Sequence, residues 1–245
     1  MAEAELTHDG DIAVLKLNRP DQLNAITTGM IDCIEQALDA VAASDCAGLV
    51  ITGEGRGFCA GSDLKEQPAN IEARIRRMHR LVQRMVHHPK LIVAAMNGLA
   101  YGGGLELAMG CALRVAAPGA KLSLPEVKLG VMPAYGGTQM LPRLIGPALA
   151  MELLLLGEPV SAERAREIGL VNAIADDPLA HAKTLIRQVT QYGQGGQAAM
   201  RQAVWQGMDR PLEQALDLEH RLISGMMTDM ATVTKTFTTK IRGKC

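Results

Sequence analysis

The 245-residue sequence predicts an α/β fold with a helical C-terminal third. Three observations carry that reading. Over the first 190 residues, short apolar runs that read as strands alternate with stretches of helical periodicity. The apolar runs close at glycine or proline, as buried strands do. From Gly136 onward the pattern is mostly helical.

Each element has its own justification. Ile12, Val14, Leu15 and Leu17 form a strand ending at Arg19-Pro20. Residues 27–43 carry Met30, Ile31, Ile34, Leu38 and Val41 at helical spacing. GLVITG at 48–53 reads as a buried strand closed by glycine. Residues 70–88 set Ile71, Ile75, Met78, Leu81, Val82, Met85 and Val86 on one helical face. LIVAAMNG at 91–98 is another buried strand; it leads to three glycines at 102–104 and then to the helical LELAMGC. Short strands follow at 114–117 and 121–124, and helix starts near Ser161, Asp176 and Pro211. QYGQGGQ at 191–197 is the best linker candidate, which divides the chain into 1–190 and 191–245. No low-complexity segment or fixed-period repeat is visible.

Composition narrows the function classes. Apolar residues at 48% and charged residues at 21% describe a globular chain able to bury a large core. A net charge of −1 gives no global basic field, and six aromatic residues leave little surface for base stacking, so a nucleic-acid partner is not expected. The first residues, MAEAELTHDGD, lack an apolar signal region, and the densest apolar run, 148–157, is short and broken by Glu152. Five cysteines without C-x-x-C spacing, and no H-E-x-x-H, suggest neither disulfides nor a metal site. A cytoplasmic protein without membrane or metal partners is the expectation. The one local exception is the helix at 70–90, where Arg74, Arg76, Arg77, Arg80, Arg84 and Lys90 face one acid, Glu72. It could meet phosphates, or it could be a solvated face.

Three segments can carry chemistry. Glycines 102–104 sit between a strand and a helix, so the Gly103 N–H could hold an oxyanion at the helix N-terminus. A tight strand–helix packing turn is the alternative. Glu106, early in that helix, and Glu126, after Pro125, could act as bases, or could be acids favoured by helix dipoles. Nothing local shows that they meet. The third segment, TGEGRGFCAGSDLKE at 52–66, contains a loose dinucleotide pattern at 55–60, an S-x-x-K match at 62–65, and a glycine-lined loop offering the Ser62 N–H. Pro68 interrupts the helix that a dinucleotide site requires.

Together these pieces resemble the enoyl-CoA hydratase/isomerase, or crotonase, superfamily. The resemblance rests on an ordered set: LNRPDQLNAI at 17–26, GFCAGSDLKE at 57–66, AAMNGLAYGGGLELAMGCALRVA at 94–116, SLPEVKLGVMPAYGGTQMLPRLIG at 123–146 and GEPVSAERAREIGLVNAI at 157–174. It implies a spiral of ββα units with a C-terminal helical region that trimerises, trimers often pairing into hexamers. It implies an acyl-coenzyme A substrate and no separate cofactor. Adenine and pantetheine would lie near Leu23, Ala25, Ala60, Asp63, Leu64 and Lys65. The two N–H groups that grip the thioester oxygen would be those of Ser62 and Gly103. Glu106 and Glu126 would be the catalytic pair of a hydratase, since isomerases often keep only one.

Departures from the family pattern bear on the acyl group. The usual P-G-A-G-G-T-Q-R is PAYGGTQM at 133–140, so Ala134, Tyr135 and Met140 differ. Tyr101 is also bulkier than many members have at that place. Either tyrosine could face a short or polar acyl chain, or pack into the core. Phe237 and Lys240 fall where members carry an aromatic and a base, without the preceding Glu-Gly. Other readings are enolate chemistry such as isomerisation, a non-catalytic acyl-CoA or RNA-binding member, and a dinucleotide oxidoreductase.

Overall fold

The structure is a computed structural model describing residues 2–227 together with Thr234. The chain opens with a hairpin: strands β1 (Ala4–Asp9) and β2 (Ile12–Leu17) pair antiparallel around Gly10. Strand β1 was not expected from the apolar pattern. Its signal was the Asp9-Gly10 turn, where glycine supplies a positive φ of 61°. Helix α1 (Thr28–Ala43) follows, capped by the Thr27 hydroxyl.

The next three strand pairs build the molecule. Strands β3 (Gly48–Gly53) and β4 (Gly57–Cys59) precede helix α2 (Ile71–Val86). Strands β5 (Leu91–Met96) and β6 (Leu99–Tyr101) precede α3 (Gly103–Met109). Strands β7 (Leu113–Ala116) and β8 (Lys121–Ser123) precede a 3₁₀ turn at Pro125–Leu129 and helix α4 (Gly137–Ile145). In each pair the first strand joins a six-stranded sheet and the second a four-stranded sheet. Within each sheet these strands lie parallel to their counterparts from the neighbouring pairs. This is a spiral of ββα turns. The connecting helices differ in length, so no fixed sequence period accompanies the repetition.

Helix α5 (Pro147–Leu156), strand β9 (Val160–Ser161), helix α6 (Ala162–Glu167), strand β10 (Ala173–Ile174) and helix α7 (Pro178–Thr190) complete the first compact unit. Strands β9 and β10 edge the small and large sheets, respectively. The strands contribute Ile12, Val50, Val93 and Val115 to one core that packs on Ala182 and Ile186 of α7. Burial of each such side chain is worth about 1.5–3 kcal/mol, so the central strands, buried on both faces, read as continuous apolar runs.

The second unit starts at Tyr192. Its helices α8 (Gln194–Gly207) and α9 (Leu212–Met226) pack on each other. Helix α8 absorbs most of the expected linker, leaving only residues 191–193 between helices. Among the described residues no helix is long and apolar enough to cross a membrane.

Candidate active site

The site grows from the end of β6. Gly102 has φ 49° and ψ −127°, a backbone conformation that a side chain would strain, and this sharp turn starts α3. Next to it, Gly104 presses against the end of β4: a Cβ there would lie 2.3 Å from the Cys59 carbonyl oxygen. That contact draws the loop after β4 onto the start of α3. A Cβ on Gly61 would lie 3.2 Å from the Gly103 nitrogen. Residues 60–63 are in turn laced to residues 23–26, with Ala60 N–H bonded to Leu23 O, Ile26 N–H to Gly61 O, and Asp63 N–H to Ile26 O. The Ser62 and Gly103 N–H groups have no acceptor among the described residues.

Both residues line a cavity of about 610 Å³. Its wall also includes Tyr101, Glu106, Glu126 and Tyr135, joined by Ala60 and Leu64 nearer the surface. So two acids twenty positions apart in sequence face one space.

Glu106, the fourth residue of α3, is 2% exposed. Its Oε1 accepts from Tyr135 N–H at 2.8 Å and Gly137 N–H at 2.7 Å. Burial nevertheless pushes its carboxyl up to about 7; the two backbone donors oppose that shift, and the nearby Glu126 charge adds to it. The helix-start argument predicted a carboxylate stabilised in its charged form. Burial overturns that expectation, since it outweighs the two backbone donors that favour the anion. Glu126 lies in the 3₁₀ turn after Pro125. Burial raises its carboxyl as well. A Cβ on Gly102 would be 3.0 Å from its Oε1, and its buried Oε2 has no partner among the described residues.

Tyr135 ties the parts together. Its N–H holds Glu106, and its ring covers Gly103, where a Cβ would sit 2.9 Å from the ring. Its hydroxyl lies 2.8 Å from Ser62 Oγ and 2.9 Å from Arg74 Nε. Arg74 is itself buried, with further bonds to the Ile26 carbonyl at 2.7 Å and to Glu66.

Known proteins resemble this chain in sequence and in fold. The model of the family described as enoyl-CoA hydratase/isomerase matches residues 7–239. The chain belongs to the enoyl-CoA hydratase/isomerase family. It is 36% identical to a crotonyl-CoA hydratase of Syntrophomonas wolfei, over 87% of this chain and 85% of that protein. It is 37% identical to a 1,2-epoxyphenylacetyl-CoA isomerase of Escherichia coli, over 94% and 93%. The crystal structure of an enoyl-CoA hydratase from Bacillus anthracis superposes with a TM-score of 0.91 at 27% identity, covering 98% of this chain and 96% of that one.

Within this crotonase frame the remaining expected site residues fall on the margin. Leu23, Ala25, Asp63 and Lys65 do not line the cavity. Leu23 and Asn24 take left-handed conformations, with φ 48° and 57°, that turn this loop beside residues 60–63. The Ala25 carbonyl accepts from Arg19 at 2.6 Å, and Asp63 pairs with the same guanidinium at 2.8 Å, which holds the Asp63 carboxyl below the usual range. Lys65 N–H caps Asp63 Oδ1. Met140 is buried in α4. Phe237 and Lys240 lie outside the described residues.

Two further segments of the crotonase chain bear on the alternative readings. After β4 no helix opens until Ile71, so the pattern at 55–60 lacks the helix N-terminus of a dinucleotide site. The basic helix is largely paired. Arg77 bonds Asp32 and Glu35 of α1, Arg84 bonds Asp39, and Arg76 bonds Glu72. Arg74, counted at first among these surface charges, is instead buried behind the site, where it holds the Tyr135 hydroxyl. The signal was its position: it falls within the apolar stripe of Ile71, Ile75 and Met78. Among the described residues no cluster of three or more His, Cys, Asp or Glu could hold a metal ion.

Proposed function

We propose that the protein catalyses reversible hydration of a trans-2-enoyl-CoA to a 3-hydroxyacyl-CoA. The observation that carries this reading is that Glu106 and Glu126 border one cavity and both hold protons more tightly than an ordinary carboxyl. Relatives named as hydratases support the substrate class. The thioester oxygen would rest between the Ser62 and Gly103 N–H groups. Preorganised donors of this kind are typically worth about 3 kcal/mol each in the transition state. Residues 23–25 and 60–65 would carry the coenzyme A portion, which enters as part of the substrate, and no separate cofactor is needed. In this reading the helices beyond Gln191 assemble a homotrimer or hexamer.

The reaction follows from the two acids. Glu106 takes a proton from water as the water oxygen bonds C3. The C2=C3 π pair moves to C2, which takes a proton from Glu126. The pair thus exchanges one proton, and its titrations are coupled. The E. coli relative named as an isomerase supports a second reading, enolate chemistry without net water addition.

Loss of crotonyl-CoA absorbance, with mass analysis of the product, separates these. Hydration adds one water; isomerisation adds none. Glu126→Gln is expected to lower kcat by at least 100-fold with little change in acyl-CoA affinity. An unchanged kcat removes Glu126 from the mechanism, and no turnover across acyl chain lengths removes hydration altogether.

A further inference from the structure

Hydroxyl accounting at Tyr135 leaves one donor unspent. An arginine Nε carries a hydrogen and cannot accept, so Arg74 donates to the phenol oxygen, 2.9 Å away. Ser62 Oγ donates to the same oxygen at 2.8 Å. A phenol oxygen that accepts twice keeps only its own hydrogen to give. No described residue accepts it. Were the phenol to donate to Ser62 instead, the serine hydrogen would be left over, so the pair still presents one net donor. Both residues line the cavity.

The arrangement is built to hold that donor in place. Arg74 is buried and anchored by the Ile26 carbonyl and Glu66, so it cannot swing away from the phenol. The ring is seated on Gly103, beside the thioester position of the proposed function. The cavity wall beyond it is apolar, with Ile71, Ile75, Val131 and Met132. Ile71, Val131 and Met132 are well exposed, so water can take the hydrogen in the free protein; a bound apolar chain that displaces this water leaves the donor unpaired, and a ligand acceptor avoids that cost.

We infer that Tyr135 is a specificity-determining residue and that the preferred acyl group carries a hydrogen-bond acceptor, a carbonyl or other oxygen on the acyl chain, that takes the spare hydroxyl hydrogen. An apolar acyl chain would leave the donor unpaired. This deepens the acyl-CoA reading above and rests on it only for the coenzyme A portion. It does not need the hydration step.

The test therefore uses binding of unreactive saturated thioesters. Pentanoyl-CoA and 4-oxopentanoyl-CoA match in chain length and differ by one carbonyl oxygen. Calorimetric titration of the wild type is expected to show the 4-oxo ligand binding about tenfold tighter. Tyr135→Phe combined with Ser62→Ala keeps the ring and both backbone N–H groups and removes both hydroxyls, so no spare hydroxyl donor faces the cavity. It should bring the ratio to about one, chiefly by weakening the 4-oxo ligand, and an unchanged far-ultraviolet circular dichroism spectrum shows that the variant is folded. No preference in the wild type, a preference retained by the double variant, or equal loss for both ligands overturns the inference. Failure of turnover across acyl chain lengths, oxygen-bearing chains included, would remove hydration, while this binding ratio tests the inference by itself.

Discussion

Glu106 shows how a single residue's chemistry and its stability cost are coupled. Two backbone donors favour its anion, yet burial wins and its carboxyl titrates near 7. A raised carboxyl binds its proton more tightly in the folded chain than in the unfolded one. Its favourable contribution is therefore complete below the ordinary carboxyl pKa and is lost as pH rises through about 7. The full effect is about 3 kcal/mol at the 1.36 kcal/mol per unit of linkage. Glu106→Gln keeps an oxygen for the two N–H donors and carries no charge. Expected, then, is a variant several degrees more stable than the wild type at pH 8, with that advantage gone at pH 5, and with hydratase turnover lost. Thermal melts across pH test it; an equal Tm difference at both pH values would show that the Glu106 charge is not what burial penalises. The acid itself was visible in sequence as a helix-start carboxylate. Its burial was not, because the groups that surround it come from residues 124–137, a loop and a helix start whose path only the fold defines.

At the scale of elements, the contact between β4 and α3 brings Ser62 and Gly103, the oxyanion donors of the proposed function, to one place. Nothing in it depends on side-chain hydrogen bonds; it is a close approach of two backbones. Gly104→Ala would drive a methyl group to 2.3 Å from the Cys59 carbonyl oxygen and 2.7 Å from the Cys59 Cβ. Backbone must move, so a loss of about 2–3 kcal/mol or more is expected in denaturant unfolding, together with weaker acyl-CoA binding as Gly103 shifts away from Ser62. Gly119→Ala is the control, with nothing within 4 Å of its added methyl, and should change stability by no more than about 0.5 kcal/mol. Equal stability of the two variants would remove the close approach from the account. The glycine run was legible as a strand-to-helix turn, as were the long apolar strands and α2. Strand β1 was not, since Thr7 and His8 dilute its alternation and only the Asp9-Gly10 turn marks the hairpin. Arg74 was misread for a related reason. Counting charge along α2 put it with Arg76 and Arg77, whereas helical phase puts it with Met78 in the interior.

For the whole molecule, the spiral explains why a pair of acids so far apart in sequence can share one cavity. Glu106 leaves the second ββα turn and Glu126 follows the strands of the third, so parallel stacking of successive turns brings their ends together. Local patterns cannot express that stacking; the ordered motifs across most of the chain could, because they belong to a family with this winding. The same winding bears on assembly. In the second unit, Met200 and Val204 lie one helical turn apart on α8 and are 65% and 60% exposed; Leu212 and Leu216 on α9 are 74% and 54% exposed. Apolar side chains left in water at helical spacing are typical of surfaces that another chain covers. If these helices carry the proposed self-association, sedimentation at micromolar concentration gives a trimer or a pair of trimers, and Leu216→Glu shifts the chain toward the monomer while the first unit keeps its acyl-CoA affinity. A wild-type monomer under those conditions, or an unchanged assembly in the glutamate variant, would assign the exposed stripe on α9 some other role.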